Sequence, residues 1–167
     1  MEMPLNLLFL CTGNSCRSII AEALANHLGA GRLRAHSAGS HPTGEVHPRA
    51  LAVLAGHGVP VAAPSSKSMD DLEGEHFDAV ITVCDAAAGE ACPIWLADTS
   101  KSHWGLPDPA AARGSDERID AAFEATYQAL QARLVSLLEL ELETLRPLAL
   151  TAWLRKIHES HSARTSA

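Results

Sequence analysis

Cys11 and Arg17 stand in the run CTGNSCRS with Thr12, Gly13, Asn14, Ser15 and Cys16 between them. A small polar loop of this length can curl until successive backbone N–H groups converge on one point, which makes a nest for an anion. A helix that begins just behind it aims the positive end of its dipole at the same point. The Arg17 guanidinium adds a planar fork that binds two oxygens of a tetrahedral oxyanion. A thiol at the floor of such a field is expected to ionise below its ordinary range. A thiolate under a bound oxyanion is a nucleophile aimed at its central atom. Thr12 through Ser18 are therefore the expected oxyanion-binding residues. Cys16 points away from the anion if the loop curls and reads as a packing residue.

The elements around the loop suit that task. Leu5–Leu10 is a nearly unbroken apolar run, as in a parallel strand covered on both faces. Ser18–Leu28 carries apolar residues at helical spacing, and Gly29 marks its end. Leu33–Ser37 reads as a second strand, Pro48–His57 as a helix, Phe77–Val83 as a third strand and Ser102–Gly105 as a weak fourth. Asp116–Leu140 is a long helix, and Arg146–His158 has the pattern of one more. Alternating strands and helices predict an α/β fold with a doubly wound parallel sheet. In such sheets ligands bind at the carboxyl ends of strands. Cys11 follows the first strand and Cys84 the third. If those strands are neighbours, the two thiols lie near each other, with a loop movement expected before they bond.

Composition narrows the classes. The 167 residues make one domain, with 146–167 expected as a helical extension of a 1–145 domain and a disordered end from His161 onward. A net charge of −7 argues against nucleic-acid binding, and 4% aromatic residues leave few rings for base stacking. No run approaches the roughly 18 apolar residues of a membrane span. MEMPLNLLFL lacks the basic start and small-residue cleavage site of a signal peptide, so a cytoplasmic protein with reduced cysteines is expected. Cys11, Cys16, Cys84 and Cys92 invite a zinc reading. The first pair lies in a loop built for anions, however, and C-x7-C is wide for a zinc knuckle. The nine histidines are scattered. No metal and no tightly bound cofactor are expected.

FLCTGNSCRS, AEA, SAGS, VHPRA, ITVCD, the later CP and HWGLPDPA occur in that order. Together they resemble the thiol-coupled arsenate reductases built on the low-molecular-weight tyrosine phosphatase fold. The resemblance implies a four-stranded parallel sheet with flanking helices. It also implies that Cys11 is the nucleophile, Arg17 the oxyanion clamp, Ser18 a hydroxyl that steadies the thiolate, and Asp108 the acid that protonates the leaving oxygen. Cys84 and Cys92 would carry a disulfide cascade from Cys11, regenerated by thioredoxin or by glutathione with glutaredoxin. The alternative on the same fold is a tyrosine phosphatase. Three features favour arsenate: the two further cysteines, Ala110-Ala111-Ala112 where phosphatases place aromatic residues, and Ile19 where they place proline. In one branch of the family a potassium ion supports the anion loop. Asn14, Glu22 and Ser37 match its surroundings, and Lys67 falls where a further acidic ligand stands, so its ammonium is expected in the place of the ion.

Overall fold

A computed structural model of the chain describes residues 4–61, 64–84, 99 and 101–165, with side chains through Ser162. Strand β1, Leu5–Cys11, runs through the middle of the molecule. Its side chains alternate between two apolar layers. Leu7, Phe9 and Cys11 join a large core on one face, and Leu8 and Leu10 join a smaller one with Ala38, Phe77 and Val80 on the other. Burial on both faces is why the strand reads as a continuous apolar run.

Helix α1, Arg17–Leu28, follows the loop and leads to β2, Leu33–Gly39. Gly29 caps the end of α1, where a Cβ would lie 2.7 Å from the Leu33 side chain. Helix α2, Pro48–Gly56, starts with proline in its first turn. Strands β3, Ala79–Thr82, and β4, Lys101–His103, complete a four-stranded parallel sheet in the order β2-β1-β3-β4. The chain therefore turns one way from β1 to β2 and the other way to β3. The switch point lies between β1 and β3, where α/β folds bind ligands.

Strand β3 is shorter than the expected Phe77–Val83. Asp78 closes its entry by accepting from the Asn6 N–H at 2.7 Å, and beyond Thr82 the Val83 N–H donates to Leu10 O of β1 at 2.9 Å. Strand β4 lies one residue earlier than expected and ends before Trp104.

Helix α3, Asp116–Leu138, is capped by the Ser115 hydroxyl and carries Asp116 and Glu117 in its first turn, where the dipole favours them. It stops two residues short of the expected Leu140. Arg32 donates to Leu138 O and Leu140 O, both at 2.7 Å, and takes over the carbonyls of its end.

Helix α4, Pro147–Thr165, runs into the stretch expected to be disordered. His161 and Ser162 are helical because they are tied to α3, His161 to the Ser136 hydroxyl at 2.9 Å and Ser162 to Arg133 at 3.2 Å. Leu150, Leu154 and Ile157 enter the same core as Phe9 and Trp104, so α4 covers the sheet. Among the described residues no helix is long and apolar enough to cross a membrane, and no cluster of three or more His, Cys, Asp or Glu could hold a metal.

Candidate active site

Cys11 is the last residue of β1 and Arg17 the first of α1, so the whole C-x5-R run forms the joint between them. The joint turns on Asn14, which has φ 48°, a left-handed conformation that asparagine tolerates better than most residues. Asn14 is fully buried and uses both ends of its amide. Its Nδ2 donates to Ser18 Oγ at 2.9 Å, and its Oδ1 accepts from the Lys67 N–H at 2.8 Å.

The loop carbonyls are turned outward and held there by the segment that follows β2. Thr12 O accepts from His41 N–H, Gly13 O from Thr43 N–H and Ser66 Oγ, and Ser15 O from His47 N–H, all at 3.0 Å. With the carbonyls engaged on one side, the amide N–H groups are left to the other, which is the condition for an anion nest. Gly39 makes this approach possible. A Cβ there would press on Thr12 O and lie 2.9 Å from Cys11 O.

Arg17 is set by the loop after β4. Its Nη1 donates to Leu106 O at 2.9 Å, and its Nη2 lies 3.8 Å from Asp108 Oδ2. Its Nε is buried with no partner among the described residues, a donor that an oxyanion oxygen would satisfy. Asp108 caps the turn Pro109–Ala111 by accepting from Ala110 N–H at 3.0 Å and remains partly open to solvent.

The pairing of β1 with β3 brings Cys84 to the loop. Its Sγ lies 3.6 Å from Thr12 Oγ1, near enough to the Cys11 thiol to govern its proton. This contact reverses one expectation. The Cys11 thiol is pushed well above its ordinary range, first by the hydrogen bond with Cys84 and then by burial, while the Arg17 charge and the Gly13 N–H pull it down. The field expected from the loop is present, but two thiols in contact cannot both ionise, so the resting pair keeps a proton. Cys16 is buried in the core, and burial pushes its thiol up as well. Cys92 lies outside the described residues.

Behind the loop, Lys67 Nζ lies 3.8 Å from Glu22 Oε2 and donates to Ser65 O at 3.2 Å. Burial pushes the Glu22 carboxyl up, and the Lys67 ammonium pulls it back down. Ser37, fully buried, lies beside that carboxylate with no aligned partner for its hydroxyl. The structure thus gathers Cys11, Arg17, Ser18, Cys84 and Asp108 at one end of the sheet, with Asn14, Glu22, Ser37 and Lys67 behind them. Sequence reasoning missed the contributions of His41, Thr43, His47 and Leu106. They act through main-chain groups, which leave no mark on residue type.

Curated relatives and solved structures resemble this chain. An arsenate reductase from Halalkalibacterium halodurans is 34% identical over 131 residues, which is 78% of this chain and 93% of the relative. A glutaredoxin arsenate reductase from Synechocystis is 32% identical over 103 residues, 62% of this chain and 77% of the relative. A solved arsenate reductase in the phosphate binding state superposes with a TM-score of 0.67 at 28% identity, covering 81% of this chain and 97% of the other. A thioredoxin-dependent arsenate reductase from Corynebacterium glutamicum gives 0.54 at 29% identity, covering 78% of this chain and 63% of the other. Residues 6–147, the span that holds both the nest and its thiols, match the low molecular weight phosphotyrosine protein phosphatase model, and the chain belongs to that family.

Proposed function

We propose that the protein reduces arsenate to arsenite. The observation that carries this reading is a second free thiol, Cys84, brought beside Cys11 at the anion loop by the pairing of β1 with β3 and lying 3.6 Å from Thr12 Oγ1. Hydrolysis of a phosphate ester needs one thiol there. A second thiol is needed when electrons must leave the first.

The steps follow from that pair. The loop N–H groups and Arg17 hold arsenate, and the Cys11 thiolate attacks arsenic. Asp108 protonates the departing oxygen as general acid, and Ser18 steadies the thiolate. Cys84 then attacks the Cys11 sulfur. The electron pair of the S–As bond passes to arsenic, arsenite leaves with arsenic in the trivalent state, and a Cys11–Cys84 disulfide remains. Cys92 attacks Cys84, restores the Cys11 thiolate and carries the disulfide as Cys84–Cys92. An external dithiol supplies the two electrons that close the cycle, and the reducing cell interior is where such a partner is found.

Thioredoxin is the reductant that a three-thiol chain fits, and the name of the Corynebacterium relative supports it. The name of the Synechocystis relative supports glutaredoxin. NADPH consumption separates the two. Arsenate-dependent oxidation is expected with thioredoxin and its reductase, and not with glutathione, glutaredoxin and glutathione reductase. If neither system responds to arsenate while an aryl phosphate is hydrolysed, the phosphatase reading replaces this one.

Lys67 does the work of a bound cation behind the loop. Its ammonium faces Glu22, and its backbone holds Asn14, which fixes the turn. Turnover is therefore expected to be unchanged when potassium replaces sodium at constant ionic strength. Lys67→Asp is expected to lower it and make it potassium-dependent. Strong potassium activation of the wild type contradicts this role.

A further inference from the structure

Helix α4 after Pro147 lies beyond the span 6–147 matched by the family, yet it reaches the site through the segment from Trp104 to Leu106. Trp104 is fully buried, and its indole N–H donates to Leu154 O of α4 at 2.9 Å. The Trp104 backbone N–H donates to Thr82 O at 2.7 Å. Two residues later, Leu106 N–H donates to Val83 O at 3.1 Å, and Leu106 O accepts from Arg17. The position of Trp104 therefore sets the carbonyl that orients the guanidinium.

One turn after Leu154 stands His158. Arg133 of α3 is 3% exposed and has no carboxylate partner among the described residues. Its donors go to neutral acceptors: Nε to His158 Nδ1 at 3.1 Å, Nη1 to Ala129 O at 2.9 Å and Nη2 to Ser162 Oγ at 3.2 Å. The first bond requires a lone pair on Nδ1, so His158 holds its proton on Nε2, which faces Ser162 Oγ at 3.4 Å. A second proton would remove that acceptor and set an imidazolium against a buried guanidinium.

We propose that α4 is a latch that positions Arg17, closed by neutral His158, so that protonation of His158 weakens oxyanion binding at the Cys11–Arg17 loop. This rests on the reading of that loop as an oxyanion site, and holds whichever oxyanion is turned over. The ionisable groups around His158 among the described residues are Arg133 from α3, His103 from β4, with ring centres 6.3 Å apart, and Glu159 within α4; β3 contributes none. Burial, then Arg133 and His103, hold His158 below its ordinary range, and Glu159 opposes them. The sign follows. The unfolded imidazole takes a proton at about pH 6.5, above the folded one. The latch is fully favoured above that pH and loses stability as pH falls through it toward the depressed folded value.

The test uses sulfate, whose charge is fixed between pH 5 and 7.5, with its affinity for the full chain measured by calorimetry. His158→Gln keeps an acceptor for Arg133 and does not titrate. At pH 7.5 the wild type and H158Q are expected to bind sulfate alike. At pH 5 the wild type is expected to bind about fivefold more weakly than H158Q, the low end of typical coupling between two sites. Trp104→Phe keeps the ring and loses the indole donor, and is expected to bind about fivefold more weakly at both pH values. Superimposable pH profiles for wild type and H158Q overturn the latch, and full affinity in W104F overturns its route to Arg17. Failure of arsenate reduction leaves both readouts intact, because sulfate binding does not depend on it.

Discussion

Cys11→Ser is expected to lower arsenate turnover by about a thousandfold or more, the scale on which loss of a catalytic nucleophile is felt. A serine hydroxyl in the same place stays protonated and has no sulfur from which Cys84 could draw electrons. The loop N–H groups do not depend on the thiol, because their carbonyls are engaged by His41, Thr43, Ser66 and His47. Sulfate binding is therefore expected to persist within a few-fold. Initial rates and calorimetry on one preparation separate the two effects. Turnover in C11S near the wild-type level contradicts a nucleophilic role, and joint loss of turnover and binding shows instead that the loop has collapsed.

Cys84→Ser is expected to stop arsenate turnover to a similar extent by a different route. Cys11 can still attack arsenic, but no neighbouring thiol takes the sulfur and releases arsenite. Hydrolysis of an aryl phosphate, which needs no electrons, is expected to survive. The resting thiol reports the same change. Cys84 is the largest influence that pushes Cys11 up, while Arg17 and the Gly13 N–H remain to pull it down. Cys11 is thus expected to ionise at lower pH in C84S, and iodoacetamide to alkylate it faster at pH 7, by about tenfold for each unit of the fall. Unchanged arsenate turnover in C84S removes Cys84 from the electron path. An unchanged alkylation profile shows that Cys84 does not govern the Cys11 proton.

The parts of this site that were legible in the sequence are those set by local spacing. The apolar run, the C-x5-R loop and the helix behind it are contiguous, and chemistry fixes their order. The meeting of Cys11 and Cys84 was legible only conditionally, because it needs β1 beside β3. The rest depends on contacts across the chain. The proton on Cys11 is raised by a residue 73 positions away, so the loop field alone gave the wrong sign. Strand β3 is cut short by the Asn6–Asp78 pairing, which no alternation pattern marks. Arg133 reads as one more charged position on a long helix, yet it is buried because α4 folds over it. His161 and Ser162, expected in a disordered end, take their bonds from Arg133 and Ser136 of α3, partners that the local sequence does not mark.

The way the anion loop is held bears on which positions are free to vary. Its carbonyls at Thr12, Gly13 and Ser15 are held by the amide groups of residues 41, 43 and 47, which every amino acid except proline carries. That segment can change its side chains while its path stays fixed, so similar chains can share the path without sharing the letters. Asn14 has no such latitude. It must accept a left-handed backbone, donate to Ser18 and accept from Lys67 at once, and an amide one methylene from the backbone does all three. Aspartate loses the donor and glycine both side-chain bonds, so variation should concentrate on the outer segment and spare the inner asparagine.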